Sequence, residues 1–91
     1  MIFELEPVAR DKHGKLIADY SVRDFYEKLA EELLEAHEQA ANQDTYCELC
    51  ELLDIMTVCA TRIKSLGIKP YVLDVYQRSL ITNNRKRGYL E

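Results

Sequence analysis

Two acidic clusters, Glu31-Glu32-Leu33-Leu34-Glu35 and Glu51-Leu52-Leu53-Asp54, are the residues of this chain whose type and spacing could do chemistry. Fifteen residues separate them. Residues three apart share a face of an α-helix. If each cluster lies on a helix and the two helices pack antiparallel, Glu32, Glu35, Glu51 and Asp54 converge on one small volume. That much negative charge is costly away from water unless a cation neutralises it. Hard oxygen ligands of this kind select Mg²⁺, or Mn²⁺, over softer metals. The expected chemistry is that of a bound divalent cation.

Helical geometry, at roughly 100° per residue, decides which acids act together. On the first helix Lys28, Glu32, Glu35 and Gln39 fall in one sector at the edge of the apolar stripe. Glu27, Glu31 and Glu38 lie further round, toward solvent. Glu32 and Glu35 are therefore the expected ligands, with Glu31 outside the ligand shell. On the second helix Glu51 and Asp54 share a sector with Cys47, Cys50 and Val58, opposite Leu49, Leu53 and Met56. One acidic pair of this spacing is ordinary on an exposed helix. Two such pairs, each on a pocket-like edge and separated by a single tight turn, are read as the walls of a site.

The elements that must position these residues are helices. Ser21 with Asp24 three residues later makes a capping box. Phe25, Leu29, Leu33, Ala36 and Ala40 then recur at helical spacing, which predicts a helix from Val22 to Ala41 ending at Asn42-Gln43. Asp44 or Thr45 is expected to cap a second helix with Leu49, Leu52, Leu53, Met56, Ala60 and Ile63 on one face, stopping at Gly67. Arg62 and Lys64 complement its C-terminal dipole. Pro70 opens a third helix, through Tyr71, Val75, Tyr76 and Leu80 to about Arg87, before Gly88. Ahead of them, Ile2-Phe3-Glu4-Leu5-Glu6 alternates as an edge strand does, Asp11-Lys12-His13-Gly14-Lys15 is a turn, and Leu16-Ile17 is a candidate return strand. An arm reaching onto a partner subunit is the other reading of residues 1–18. The expected fold is all-α, three main helices per chain with a short irregular or hairpin-like N-terminal arm. Three amphipathic helices have too little mutual surface to bury every apolar face, so a homodimer or homotetramer is expected to complete the bundle.

Composition narrows the function classes. A chain of 91 residues forms one domain and buries only about 60–65% of its unfolded surface. A net charge of −4 argues against nucleic acid, whose phosphates demand a basic footprint. No apolar run is long enough to span a bilayer, and no signal-peptide core follows Met1. Three cysteines, an odd number, then predict reduced thiols in the cytoplasm.

The two clusters, met in this order and spacing, resemble the signature of the MazG-like all-α nucleoside triphosphate pyrophosphohydrolases, EExxE followed by ExxD. That superfamily also includes dimeric dUTPases and phosphoribosyl-ATP pyrophosphohydrolase. Asn83-Asn84-Arg85-Lys86-Arg87-Gly88-Tyr89 is similar to its C-terminal helix bearing Asn and basic residues. The resemblance covers about Asp19 to Glu91. Arg10-Asp11-Lys12 is similar to a tripeptide near the start of some short members, but His13-Gly14 replaces the Ile-Pro that follows there, and no role is carried over. The resemblance implies Mg²⁺-dependent hydrolysis of a nucleoside triphosphate between its α and β phosphates, giving a monophosphate and pyrophosphate. It implies that Glu32, Glu35, Glu51 and Asp54 hold the metal and that Glu31 or Glu48 orients the attacking water. Lys28, Lys86 and Arg87 (or Arg85) then neutralise phosphate, and Asn84 hydrogen-bonds phosphate or sugar. Phe25, Tyr26 or Tyr46 would stack on the base.

Other signals are weaker. Cys47-x-x-Cys50 lies mid-helix, away from the knuckle setting of zinc motifs, and neither His13 nor His37 has a matching spacing. A di-iron bundle is disfavoured by the lack of Glu-x-x-His. The competing function is a non-catalytic helical interaction protein that retains this scaffold.

Overall fold

The computed structural model describes residues 6–89. The alternating stretch expected as an edge strand rests on Ile2, Phe3, Glu4 and Leu5, which lie outside the described residues. Within them the chain forms three α-helices, α1 (Val22–Ala41), α2 (Thr45–Ser65) and α3 (Pro70–Lys86), preceded by a 3₁₀ turn at Ile17–Asp19. The described residues contain no β-strand. A single antiparallel bridge joins Arg10 to Leu16. Between them Gly14 takes φ +83°, which an L side chain adopts only with strain. Ile17, a candidate for a returning strand, instead donates its N–H to Ala9 O at 2.9 Å and enters the 3₁₀ turn.

The helix ends follow from local chemistry. The Ser21 hydroxyl accepts from Asp24 N at 3.1 Å and the Asp24 carboxylate accepts from Ser21 N at 2.9 Å, closing the capping box on α1. At the other end Asp44 N donates to Gln39 O and Gln43 N to Ala40 O, the paired bonds of a Schellman turn, with Gln43 at φ +57°. Asp44 then caps α2, accepting from Cys47 N at 3.0 Å. Gly67, at φ +68°, ends that helix, and Pro70 supplies the fixed φ of the first turn of α3.

α1 and α2 pack as an antiparallel hairpin, with the Arg62 guanidinium 5.2 Å from the centre of the Phe25 ring. The inward strip of α1 carries Phe25, Lys28, Glu32, Glu35 and Ala36; of these Phe25, Glu32 and Ala36 are buried. On α2 the residues that share the inward sector are Glu48, Glu51, Ile55, Val58 and Arg62, all half-buried. The apolar stripe of α2 is split: Leu53, Met56 and Ala60 are half-buried, while Leu49, Leu52 and Ile63 are exposed. On α1 Val22 and Leu33 flank the inward strip and are exposed as well. Because the helices run antiparallel, these two flanks open on the same side of the pair. The N-terminal segment crosses the opposite side, where Val8 N donates to Thr61 Oγ1 at 3.3 Å.

α3 buries none of its residues, and Tyr71, Val75, Tyr76, Leu80 and Ile81 are exposed. The accessible surface is 7541 Å². A compact monomer of 10.6 kDa would expose about 5,500 Å². The radius of gyration, 15.2 Å, compares with about 12 Å for a compact chain of this length. Among the described residues no helix is long and apolar enough to cross a membrane.

Candidate metal centre

The antiparallel register sets Glu32 and Glu35, one turn apart on α1, across from Glu51 on α2. One carboxylate oxygen from each of the three lies within 4.8 Å of the others. Glu32 is 6% exposed, while Glu35 and Glu51 are half-buried. The Lys28 ammonium, one turn earlier on α1, meets Glu32 Oε1 at 2.7 Å. That hydrogen bond holds the Lys28 pKa above its ordinary value. Glu32 Oε2 and Glu51 Oε2 are both buried without a hydrogen-bond partner.

Such oxygens are rare, because burying one without a partner forfeits its hydration. One ammonium cannot neutralise three carboxylates, and the excess appears at Glu51. Burial pushes the Glu51 carboxyl up to about 7, and the neighbouring Glu35 and Glu32 carboxylates push it the same way. A group with these features takes either a proton or a cation. Three carboxylates at this spacing, two of them carrying a buried oxygen without a partner, are a donor set that fits a hard divalent cation.

The other sequence candidates stand apart from this triad. Asp54 is exposed and outside the 4.8 Å group, yet it lines the same cavity as Glu32. Glu31 is exposed and faces Lys12 Nζ at 3.7 Å. Glu48 is half-buried one turn before Glu51. Asn84, Lys86 and Arg87 belong to α3 and its C-cap, and no residue of α3 lines either cavity beside the carboxylates. Of the aromatic candidates, Phe25 is buried and lines the cavity, whereas Tyr26 and Tyr46 are exposed on the surface. Cys47, Cys50 and Cys59 are free thiols, and a hydrogen bond to Asp44 raises the Cys47 pKa, the opposite of activation.

Next to the triad lies a cavity of about 240 Å³. Glu32, Asp54 and Lys28 form one wall, and the N-terminal residues Arg10, Lys12 and Tyr20 form the other. The sequence marks Asp11 to Lys15 as a turn and Arg10-Asp11-Lys12 as a tripeptide without a role, but not as a second wall, because the segment has no periodicity to place it against a helix.

Comparison of the chain with known protein families, with curated proteins and with solved structures returns no match.

Proposed function

We propose that the chain is a divalent-metal-dependent nucleoside triphosphate pyrophosphohydrolase acting as a homo-oligomer in the cytoplasm. The observation that carries this reading is the pair of buried, unpartnered oxygens, Glu32 Oε2 and Glu51 Oε2, on two members of a three-carboxylate group that Glu35 completes. Glu32, Glu35 and Glu51 would hold Mg²⁺ or Mn²⁺, with Asp54 offering a further oxygen at the cavity edge. When bound, such an ion polarises phosphate oxygens and lowers the pKa of a water. The chain's own part is positioning and charge neutralisation, which phosphoryl chemistry needs more than a protein nucleophile. Glu48 or Glu31 orients the water and takes its proton as the water oxygen displaces pyrophosphate across the α–β anhydride. Lys28 supplies positive charge beside Glu32. The resemblance of the two acidic clusters and of Asn83 to Tyr89 to the MazG-like superfamily points to the nucleoside triphosphate as substrate.

The surface supports oligomerisation. The chain exposes about 2,000 Å² more than a compact monomer, and a standard protein interface removes about 800 Å² from each partner. The exposed flanks of α1 and α2 and the unburied α3 are the apolar faces to be covered, and a second copy carries the same complement. In a dimer or tetramer, the partner's α3 is the source from which Asn84, Lys86 and Arg87 would reach the phosphates. Their distance from the triad within one chain is also what favours the second reading, a helical interaction protein without turnover.

The test is incubation of purified protein with Mg²⁺ and a panel of canonical and damaged nucleotides, followed by pyrophosphate detection. Metal-dependent release of pyrophosphate and monophosphate in equal amounts is expected. No turnover of any nucleotide at high protein concentration overturns the enzyme reading.

A further inference from the structure

We infer that the N-terminal turn is a cationic clamp for a polyphosphate chain, with Arg10 and Lys12 as its phosphate contacts and Asp11 as the residue that positions them. The inference rests on the metal-centre reading and assigns the wall opposite it.

The cations that line the 240 Å³ cavity are Arg10, Lys12 and Lys28. Lys28 is engaged by Glu32, but the other two are lightly held. Arg10 Nη1 donates to the carbonyl of Gly14 at 3.0 Å, and among the described residues no carboxylate lies within ion-pair distance of it. Lys12 meets Glu31 at 3.7 Å with its side chain 65% exposed, a screened contact that an anion of higher charge displaces. The wall facing them carries Glu32 and Asp54 beside Lys28, and Val8, Ile17, Phe25 and Val58 make the ground between apolar. With cations at one rim and carboxylates at the other, the charged ligand that fits is an anion carrying its own divalent cation.

Asp11 explains why the cations stay there. Its Oδ1 accepts from His13 N and from Lys15 N, both at 2.9 Å, and its Oδ2 accepts from the Tyr20 hydroxyl at 2.7 Å. That last bond holds the Asp11 carboxyl below its ordinary range. With both oxygens committed to hydrogen bonds, the carboxylate folds the turn, and its own negative charge stays at the cavity edge between Arg10 and Lys12. Tyr20 in turn packs edge-on against Phe25, with ring centres 5.3 Å apart, and Val8 N bonds Thr61 on α2. The turn is thus anchored to both helices that carry the triad. Cavity size selects the part of the ligand: whole drug-sized ligands occupy about 300–1,000 Å³, so this volume suits the phosphate chain and leaves base and sugar outside. Arginine's planar fork matches phosphate oxygens better than any other cation.

The experiment uses inorganic tripolyphosphate as probe, titrated calorimetrically into full-length protein at saturating Mn²⁺, after Mn²⁺ affinity itself has been measured. Arg10→Gln with Lys12→Gln should weaken tripolyphosphate at least about tenfold and leave Mn²⁺ affinity unchanged. Asp11→Asn removes a negative charge, so electrostatics alone predicts tighter binding of the anion. A positioning role predicts weaker binding, together with a raised KM for the nucleotide at nearly constant kcat. Tyr20→Phe, which keeps the ring against Phe25, should reproduce the direction if Asp11→Asn fails to fold. Unaltered tripolyphosphate affinity in the double variant overturns the clamp alone. Failure of the wild-type protein to bind Mn²⁺ overturns the metal centre, and the clamp with it.

Discussion

α2 presents two faces whose contents invert the usual arrangement. Toward α1 it sends Glu48 and Glu51 among Ile55 and Val58, half-buried; away from α1 it exposes Leu49, Leu52 and Ile63. In an isolated two-helix pair the leucines would turn inward, since each buried aliphatic side chain contributes about 1.5–3 kcal/mol. The chain instead shares the interior of the hairpin between Phe25, Ala36 and Thr61 and a group of carboxylates, one of them pushed up to about 7. The difference teaches that hydrophobic burial and chemistry are separate tasks on the proposed reading, in which the inner face would serve a charged ligand and the outer face a second copy of the chain.

The inner face is broken most severely by Glu35→Gln. Removing one of the three proposed ligands should lower Mg²⁺-dependent pyrophosphate release at least about a hundredfold, with the helical circular dichroism retained. Activity within a few fold of wild type would remove Glu35 from the site. The outer face is broken by Leu52→Glu, which places a charge in the middle of the leucine stripe. Sedimentation velocity should show an oligomer of the wild-type chain and a smaller species for the variant. An unchanged sedimentation coefficient would show that this face is not the interface.

A gentler perturbation separates the two faces by pH. The folded state holds a proton on Glu51 up to about pH 7, where the ordinary glutamate value is 4.5. Between these values the native state binds more protons than the unfolded state, so this group's contribution is full below 4.5 and lost as pH rises through 7. The carboxylates of Asp11, Asp24 and Asp44 are shifted the other way and act only in more acid solution. The metal-free protein should therefore lose Tm from pH 5 to pH 8, by a small amount for a single half-buried group. Glu51→Gln should flatten the slope, and Mn²⁺ at pH 8 should restore the loss. A Tm of metal-free wild type that rises over this range contradicts the environment assigned to Glu51.

The helix ends were legible in the sequence because their chemistry is local. Ser21 and Asp24, Asp44, Gly67 and Pro70 each act within one turn of the chain, and each stands where its residue type predicted. The meeting of Glu32 and Glu35 with Glu51 was legible too, because a short connection between two capped helices fixes their register. Asp54 was harder. It shares a helix sector with Glu51, but its side chain is one methylene shorter, and the sector argument ignores reach. The direction in which the leucine stripe points was not legible at all, since an apolar stripe says that something covers it and not what. The same holds for α3: Pro70 and Gly88 set its length, while its packing depends on surfaces outside the helix itself. Arg10, Asp11 and Lys12 were read as a turn and a tripeptide, but their place beside the acids was not legible, as a turn held by side-chain-to-backbone bonds has no period to read.

The capped connection at Asn42 to Asp44 also determines where the gene can change length. Residues added within that link leave the internal phase of each helix intact, because Ser21 and Asp44 start each helix independently, but they loosen the register that sets Glu51 across from Glu32 and Glu35. One residue added between Cys47 and Glu51 would swing the Glu51 carboxylate by roughly 100° around the axis, toward the leucines. Frame within α2 is thereby as constraining as the identity of the acids.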